Sequence, residues 1–332
     1  MAGEIRGGGD HGEERRGGRV KDARPASMVS VADAAPRRAV TLAADYIALT
    51  KPRLNFLVVA TSAAGYYLGA HVGTTPSSLW SLSLLWSMTP AVAGTALVAG
   101  GAAVLNQVYE RDTDALMRRT RLRPLPDGRV AASDAHAFGF ALSAIGLVLL
   151  AARANVLAAG LALATLVIYL AVYTPMKRQT PAATLVGAVP GALPPLIGWT
   201  AAHGGVSAGG AALFAIVFVW QIPHFMAIAW LYRDDYGKAG FPMLPVIEPE
   251  GRRAGRQALI YAAALVPITL VPTVVGVSGM VYASVALAMG LVLLWLAWRF
   301  AATRSDRSAR ALFFGSIIYL PLLWLAMILN RM

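Results

Sequence analysis

The order of apolar and charged residues along this chain constrains it more than any motif does. Nine stretches approach the roughly 20 mainly apolar residues that a helix needs to cross a bilayer. They run at approximately Leu54–Ala70, Leu84–Leu105, His136–Ala152, Val156–Tyr173, Leu185–Thr200, Ala211–Ala229, Leu259–Val275, Val281–Phe300 and Leu312–Leu329. Of the 29 Lys and Arg, all but Arg153 and Arg331 lie before the first stretch or at the far ends of the second, fourth, sixth and eighth. Basic residues mark cytoplasmic loops, so this alternation predicts nine transmembrane helices, N-terminus cytoplasmic and C-terminus extracytoplasmic. A missed or invented span would scramble it. The expectation is an all-α membrane protein in contact with the lipid bilayer over most of its length.

The same placement removes rival classes. A formal net charge of +12 over 332 residues would suit a polyanion binder, but topology accounts for it, so no nucleic acid is expected. Only 14% of residues are charged, against roughly a quarter in a soluble protein. The absence of cysteine excludes disulfides, thiolate metal sites and Cys nucleophiles. Residues 1–45 lack apolar periodicity and read as a disordered cytoplasmic tail, which leaves 46–332 as one intramembrane domain. The tail has no apolar core of the secretory kind, and Glu4, Asp10, Glu13 and Glu14 argue against a mitochondrial transit peptide. A multi-pass protein of a bacterial inner membrane is expected.

The acids say more about chemistry. All 17 carboxylates lie outside the nine stretches and on the cytoplasmic side, although topology makes no such demand of Asp and Glu. Two clusters close even-numbered spans: Leu-Asn-Gln-Val-Tyr-Glu-Arg-Asp-Thr-Asp at 105–114 and Tyr-Arg-Asp-Asp-Tyr-Gly-Lys-Ala-Gly at 232–240. If the second helix continues, Asn106, Glu110 and Asp114 recur every four residues and form one stripe. Such a stripe repels itself unless a cation bridges it. Hard oxygen ligands of this kind suit Mg²⁺, which takes one or two carboxylates together with substrate phosphates. The neighbouring Arg118, Arg119, Arg121 and Arg123 would pair with these acids, and a bound diphosphate would give both signs a role. A merely solvated helix end is the bland alternative. A transporter or assembly scaffold is another, but transporters set ionisable groups near the midplane, and none of the nine stretches holds a carboxylate.

Asn106-x3-Glu110-x3-Asp114, followed by Met117-x-Arg119-Thr120-x2-Arg123-Pro124, resembles the first acid-rich motif of the UbiA-type intramembrane prenyltransferases. Tyr173-Thr-Pro-Met-Lys-Arg-Gln-Thr180, Gly191-Ala-Leu-Pro-Pro-Leu-Ile-Gly-Trp199, Trp220-Gln-Ile-Pro-His-Phe-Met226 and the stretch from Asp234-Asp235 to Pro245 resemble the haem-modifying branch of that family. The likeness covers about residues 45–330. Glu110 stands where the family commonly has Asp, and His224-Phe225 where the wider family has a further acid.

The resemblance implies a UbiA-type bundle of nine helices that moves a farnesyl group from farnesyl diphosphate to the vinyl group of haem b. It implies Mg²⁺ as cofactor and haem b as substrate. Asn106, Glu110 and Asp114 would hold one metal, with Asp234 and Asp235 supporting a second. Arg119, Arg123, Lys177, Arg178 and Lys238 would take the diphosphate, with Lys51 and Arg53 behind them, and His224 would contact haem. The farnesyl tail would lie where Pro190, Pro194 and Pro195 break the fifth helix. A haem A synthase or terminal oxidase would be the protein partner. A related enzyme acting on an aromatic or quinone-precursor acceptor is the remaining alternative, which the Trp220–Phe225 stretch opposes.

Overall fold

The computed structural model describes residues 42–70 and 82–332. The expected tail lies outside the described residues as far as 41, and 42–45 already belong to the first helix. The order is α1 Leu42–Leu49, α2 Pro52–Gly69, α3 Leu82–Leu116, α4 Ala132–Arg153 and α5 Val156–Val167. α5 runs through a π-helical segment, Ile168–Tyr173, into α6 Thr174–Met176. There follow α7 Ala183–His203, α8 Ala208–Leu231, α9 Arg233–Lys238, α10 Leu244–Ile247, α11 Arg252–Ile268, α12 Val271–Val274, α13 Met280–Thr303 and α14 Asp306–Leu329. Among the described residues the only extended pairing is an isolated bridge between Ser278 and Arg331.

Eight of these segments are long and apolar enough to cross a membrane: α3, α4, Val156–Met176, α7, α8, Arg252–Val274, α13 and α14. The expectation of nine spans is met for those eight. The first expected span is present as α2, but Arg53, Asn55, Thr61 and Ser62 keep its 18 residues from counting with them. The reason is packing. Thr61, Ser62 and Ala64–Gly69 are buried, and the helix lies backbone to backbone on α7. A Cβ added at Gly65 would meet the Pro195 carbonyl, and one at Gly198 would meet the Ser62 carbonyl oxygen. Small residues allow that approach, which replaces apolar side chains as the source of contact within lipid.

The same contact corrects the reading of the prolines. Pro190, Pro194 and Pro195 do not break α7, which is continuous from Ala183 to His203 with all three rings buried. Each proline removes a ladder N–H. The helix α2 laid along this stretch supports it, as neighbouring helices do for prolines inside membranes. Around this pair, α8, α11, α13 and α14 share a core that includes Trp220, Trp230, Tyr282, Phe300, Leu312 and Trp324.

Two features position the candidate site. First, α3 is 35 residues long, about 52 Å at 1.5 Å per residue, so its last turns outrun a hydrocarbon core of about 30 Å. Those turns carry residues 106–114. Second, α1 inverts the usual pattern: Asp45 is buried while Leu42 and Ile47 are exposed. Arg129 Nε lies 3.1 Å from both Asp45 oxygens, and Tyr46 packs edge-on against Phe138 with centroids 5.0 Å apart. This fixes α1 to the loop between α3 and α4 and turns its apolar face outward, as suits lipid contact.

Candidate active site

The stripe expected from sequence exists. Asn106, Glu110 and Asp114 project from one face of α3 and are 2%, 5% and 2% exposed. Buried carboxylates need partners, and each acid has a cation. Lys177, just past α6, forms an ion pair with Glu110 Oε1. Arg123, in the loop after α3, places Nη1 2.7 Å from Asp114 Oδ2. Thr120 donates to the Asp114 carbonyl at 2.7 Å and curls that loop back over the helix end. Asn106 donates its amide N–H to the Thr174 hydroxyl at 3.1 Å, which leaves Oδ1 as the atom it offers to a cation.

The π-helical segment explains how Thr174 and Lys177 arrive there. A π-turn inserts a residue into the helical ladder and is common at functional sites. Here Thr174 donates to the Tyr169 carbonyl five residues back, at 2.8 Å. Thr174 and Lys177 then share the face turned to α3. The Lys177 ammonium lies 5.3 Å from the Tyr173 ring and 5.4 Å from the Phe241 ring, so it is walled by aromatic faces as well as paired.

Lys51 is held by the backbone. It links α1 to α2 with φ 50° and ψ 57°, a left-handed conformation that is costly for a non-glycine residue directly before proline. Neighbours secure the turn: Gln107 donates to the Leu49 carbonyl at 2.6 Å and Asn55 to the Thr50 carbonyl at 2.6 Å. Burial, and then the Arg123 guanidinium, push the Lys51 amine down to about 7, against the upward pull of Asp114 and Glu110. Its amine therefore shares one field with both acids and with Arg123.

The second cluster sits differently. Asp234 is exposed and Asp235 half-buried on the first turn of α9. Among the described residues, no three of His, Cys, Asp and Glu converge into a metal-holding group. What joins α9 to the first motif is apolar and aromatic: Met117, Ala239 and Phe241 form a buried cluster flanked by Tyr236 and Met243. Arg119 stacks 5.1 Å from the Tyr232 ring, and burial pushes the Tyr236 phenol up against the opposing pull of the Arg119 charge. Arg178 is turned to the Tyr109 carbonyl at 3.1 Å, while Arg53 and Lys238 are exposed and in no ion pair among the described residues.

His224, on α8, lies away from these acids and against α14. Its Nδ1 is 2.8 Å from Ser316 Oγ, and its ring lies between those of Trp220 and Phe313. Sequence reasoning missed Thr174, Tyr173, Tyr236 and Phe241 as parts of the site. The signal available for the first two was their spacing of three and four residues from Lys177.

The donor set at α3 fits a hard cation. Two buried carboxylates and an amide oxygen on one helix face are the ligands Mg²⁺ accepts alongside phosphate oxygens. Arg123 and Lys177, now on the carboxylates, can serve a diphosphate.

Comparison with known proteins gives the family and the fold. The profile of the UbiA prenyltransferase family matches residues 57–319. The protoheme IX farnesyltransferase of Solibacter usitatus (strain Ellin6076) is 46% identical over 287 residues, 86% of this chain and 98% of that protein. The protoheme IX farnesyltransferase of Koribacter versatilis (strain Ellin345) is 42% identical over 313 residues, 92% and 99% respectively. A solved structure of digeranylgeranylglyceryl phosphate synthase superposes with a TM-score of 0.71 at 16% identity, covering 86% of this chain and 97% of that one. A UbiA homologue from Archaeoglobus fulgidus bound to GPP and Mg²⁺ gives 0.60 at 18% identity, covering 85% and 99%. At those identities the likeness is one of fold.

Proposed function

The chain belongs to the UbiA prenyltransferase family, and from that membership we propose that it transfers the farnesyl group of farnesyl diphosphate to a vinyl group of protohaem IX. Diphosphate leaves, water adds, and haem O results. The observation that carries the transferase reading is the buried Asn106, Glu110 and Asp114 stripe met by Lys177 and Arg123. The acceptor is supported by the relatives from Solibacter usitatus and Koribacter versatilis, matched over nearly their whole lengths.

Ionising an allylic diphosphate demands preorganised positive charge where the leaving group gathers its negative charge. Arg123 and Lys177 supply it from partly buried positions, with Lys51 and Arg119 beside them and Arg178, Lys238 and Arg53 further out. Mg²⁺, held by Asn106, Glu110 and Asp114 with Asp234 and Asp235 across the mouth, supplies Lewis-acid stabilisation of the diphosphate when bound. The apolar bundle keeps the allylic cation from bulk water until the vinyl carbon captures it. Protohaem IX enters as substrate and meets His224.

The same reading covers topology. α2 serves as the ninth span, the N-terminus is cytoplasmic and the C-terminus extracytoplasmic, as the placement of Lys and Arg requires. Residues 1–45 precede the intramembrane domain of 46–332 as a cytoplasmic tail whose last residues enter α1. The bacterial relatives support an inner-membrane location. A haem A synthase or terminal oxidase would receive the product. Incubating membranes with haem b, farnesyl diphosphate and Mg²⁺ tests the reading. Extracted haem should gain the mass of a farnesyl group plus a hydroxyl; unmodified haem beside a prenylated hydroxybenzoate would replace the acceptor.

A further inference from the structure

The hydroxyl of Ser316 lies between two groups. It is 2.7 Å from the Phe313 carbonyl and 2.8 Å from His224 Nδ1. A carbonyl oxygen can only accept, so the single Ser316 proton goes to Phe313. The bond to His224 must then be donated by the ring, which puts the imidazole proton on Nδ1 and leaves a bare lone pair on Nε2.

We propose that His224 Nε2 ligates the iron of the porphyrin substrate and that Ser316 is the positioning residue that sets its tautomer. The inference rests on protohaem IX being the acceptor. A ligating histidine almost always donates its other ring N–H to a fixed partner, which orients the ring and raises its basicity. Here α14 provides that partner to a histidine on α8. The ring is also clamped on both faces: Trp220 lies 5.1 Å away at 17° and Phe313 5.2 Å away at 22°. Trp220 is itself locked, donating its indole N–H to the Ser316 carbonyl at 2.9 Å. One residue of α14 therefore fixes both the proton and the ring that flanks it.

His224 stays half-buried, and Nε2 makes no hydrogen bond among the described residues. The bare nitrogen is the atom through which a neutral imidazole binds a metal. His224 lies seven residues before the end of α8, about 10 Å of helical rise from the turn that leads into α9 and its acids. Iron held there lets one porphyrin edge reach toward the diphosphate end. Coordination needs no proton release, because Nε2 carries none, and the iron keeps its oxidation state.

The test uses the full-length protein, purified and titrated with haem b, read by absorption and by the iron–histidine stretch in resonance Raman of the ferrous form. Wild type should show the stretch. His224→Ala should lose it, and added imidazole should restore a nitrogen-ligated spectrum to His224→Gly. Ser316→Ala should keep the ligand but shift the stretch to lower frequency and weaken haem binding about tenfold. A stretch that survives His224→Ala, or one that Ser316→Ala leaves unmoved, overturns the proposal. Wild-type protein that binds farnesyl diphosphate but no haem would instead overturn the acceptor beneath it. Haem binding without any histidine stretch removes His224 alone.

Discussion

Asn106 on α3 donates its side-chain amide to the Thr174 hydroxyl at 3.1 Å, and Thr174 hands its own proton to the Tyr169 carbonyl at 2.8 Å. The chain runs one way, so Thr174 dictates which end of the Asn106 amide is left for a cation. Thr174→Val keeps the volume and loses the acceptor. The half-saturating Mg²⁺ concentration should rise about tenfold, with Thr174→Ser restoring it. Mn²⁺ binding followed by EPR on the purified protein checks this independently of turnover.

Arg123 and Asp114 should fail in different ways. Asp114→Ala removes a buried ligand and should abolish haem O formation while leaving membrane insertion intact. Arg123→Ala removes charge from the leaving group and should lower kcat by a factor on the order of 10²–10³. Product analysis on membranes of matched protein content decides; normal turnover by Asp114→Ala would take Asp114 out of the site.

The Lys51 amine, pushed down to about 7 chiefly by burial and by Arg123, is largely uncharged above that pH in the free protein. A diphosphate beside it favours the ammonium and raises its pKa, so binding above pH 7 takes up a proton. Affinity for farnesyl diphosphate should therefore fall as pH rises from about 7.5 to 9. Lys51→Met should bind more weakly at pH 6.5 and lose the slope. Calorimetry in buffers of different ionisation enthalpy reads the proton directly.

Arg129 neutralises Asp45, which is 3% exposed. Arg129→Ala leaves that carboxylate buried without its partner and should cost about 3–5 kcal/mol. Thermal unfolding in detergent should show the loss, and Asp45→Asn in the same background should recover part of it.

Gly198→Ala would drive a methyl group into the Ser62 carbonyl and part α2 from α7. Overpacking of this kind costs about 1–3 kcal/mol. Gly160→Ala in α5 meets nothing within 4 Å and should be neutral or slightly stabilising. Equal melting temperatures for the two variants would refute the interlock.

The α3 stripe was legible because a four-residue repeat is a helix face wherever the helix continues, and hydropathy marked where α3 leaves the membrane. Lys177 could be named from its motif, but the route by which it reaches Glu110 could not. That route depends on a π-turn at Ile168–Tyr173, set by where α5 must pass α3, with no residue that announces it. α2 shows the converse. Its Thr, Ser and Gly content lowers its hydropathy because it contacts α7 through backbone, and composition cannot distinguish that from a poor span. Asp234 and Asp235 were visible as acids, yet their exposure follows from the break between α8 and α9, which no spacing predicts.

The two ion pairs, Lys177 with Glu110 and Arg123 with Asp114, have a thermodynamic consequence for substrate loading. On the function proposed above, one member of each pair serves the metal and the other the diphosphate, so neither ligand would engage fully without releasing a group the other needs. That arrangement predicts positive cooperativity between metal and diphosphate, each raising the affinity for the other by the same factor. A protein built this way would discriminate against free diphosphate and free metal alike, its resting charges satisfied by one another until both arrive together.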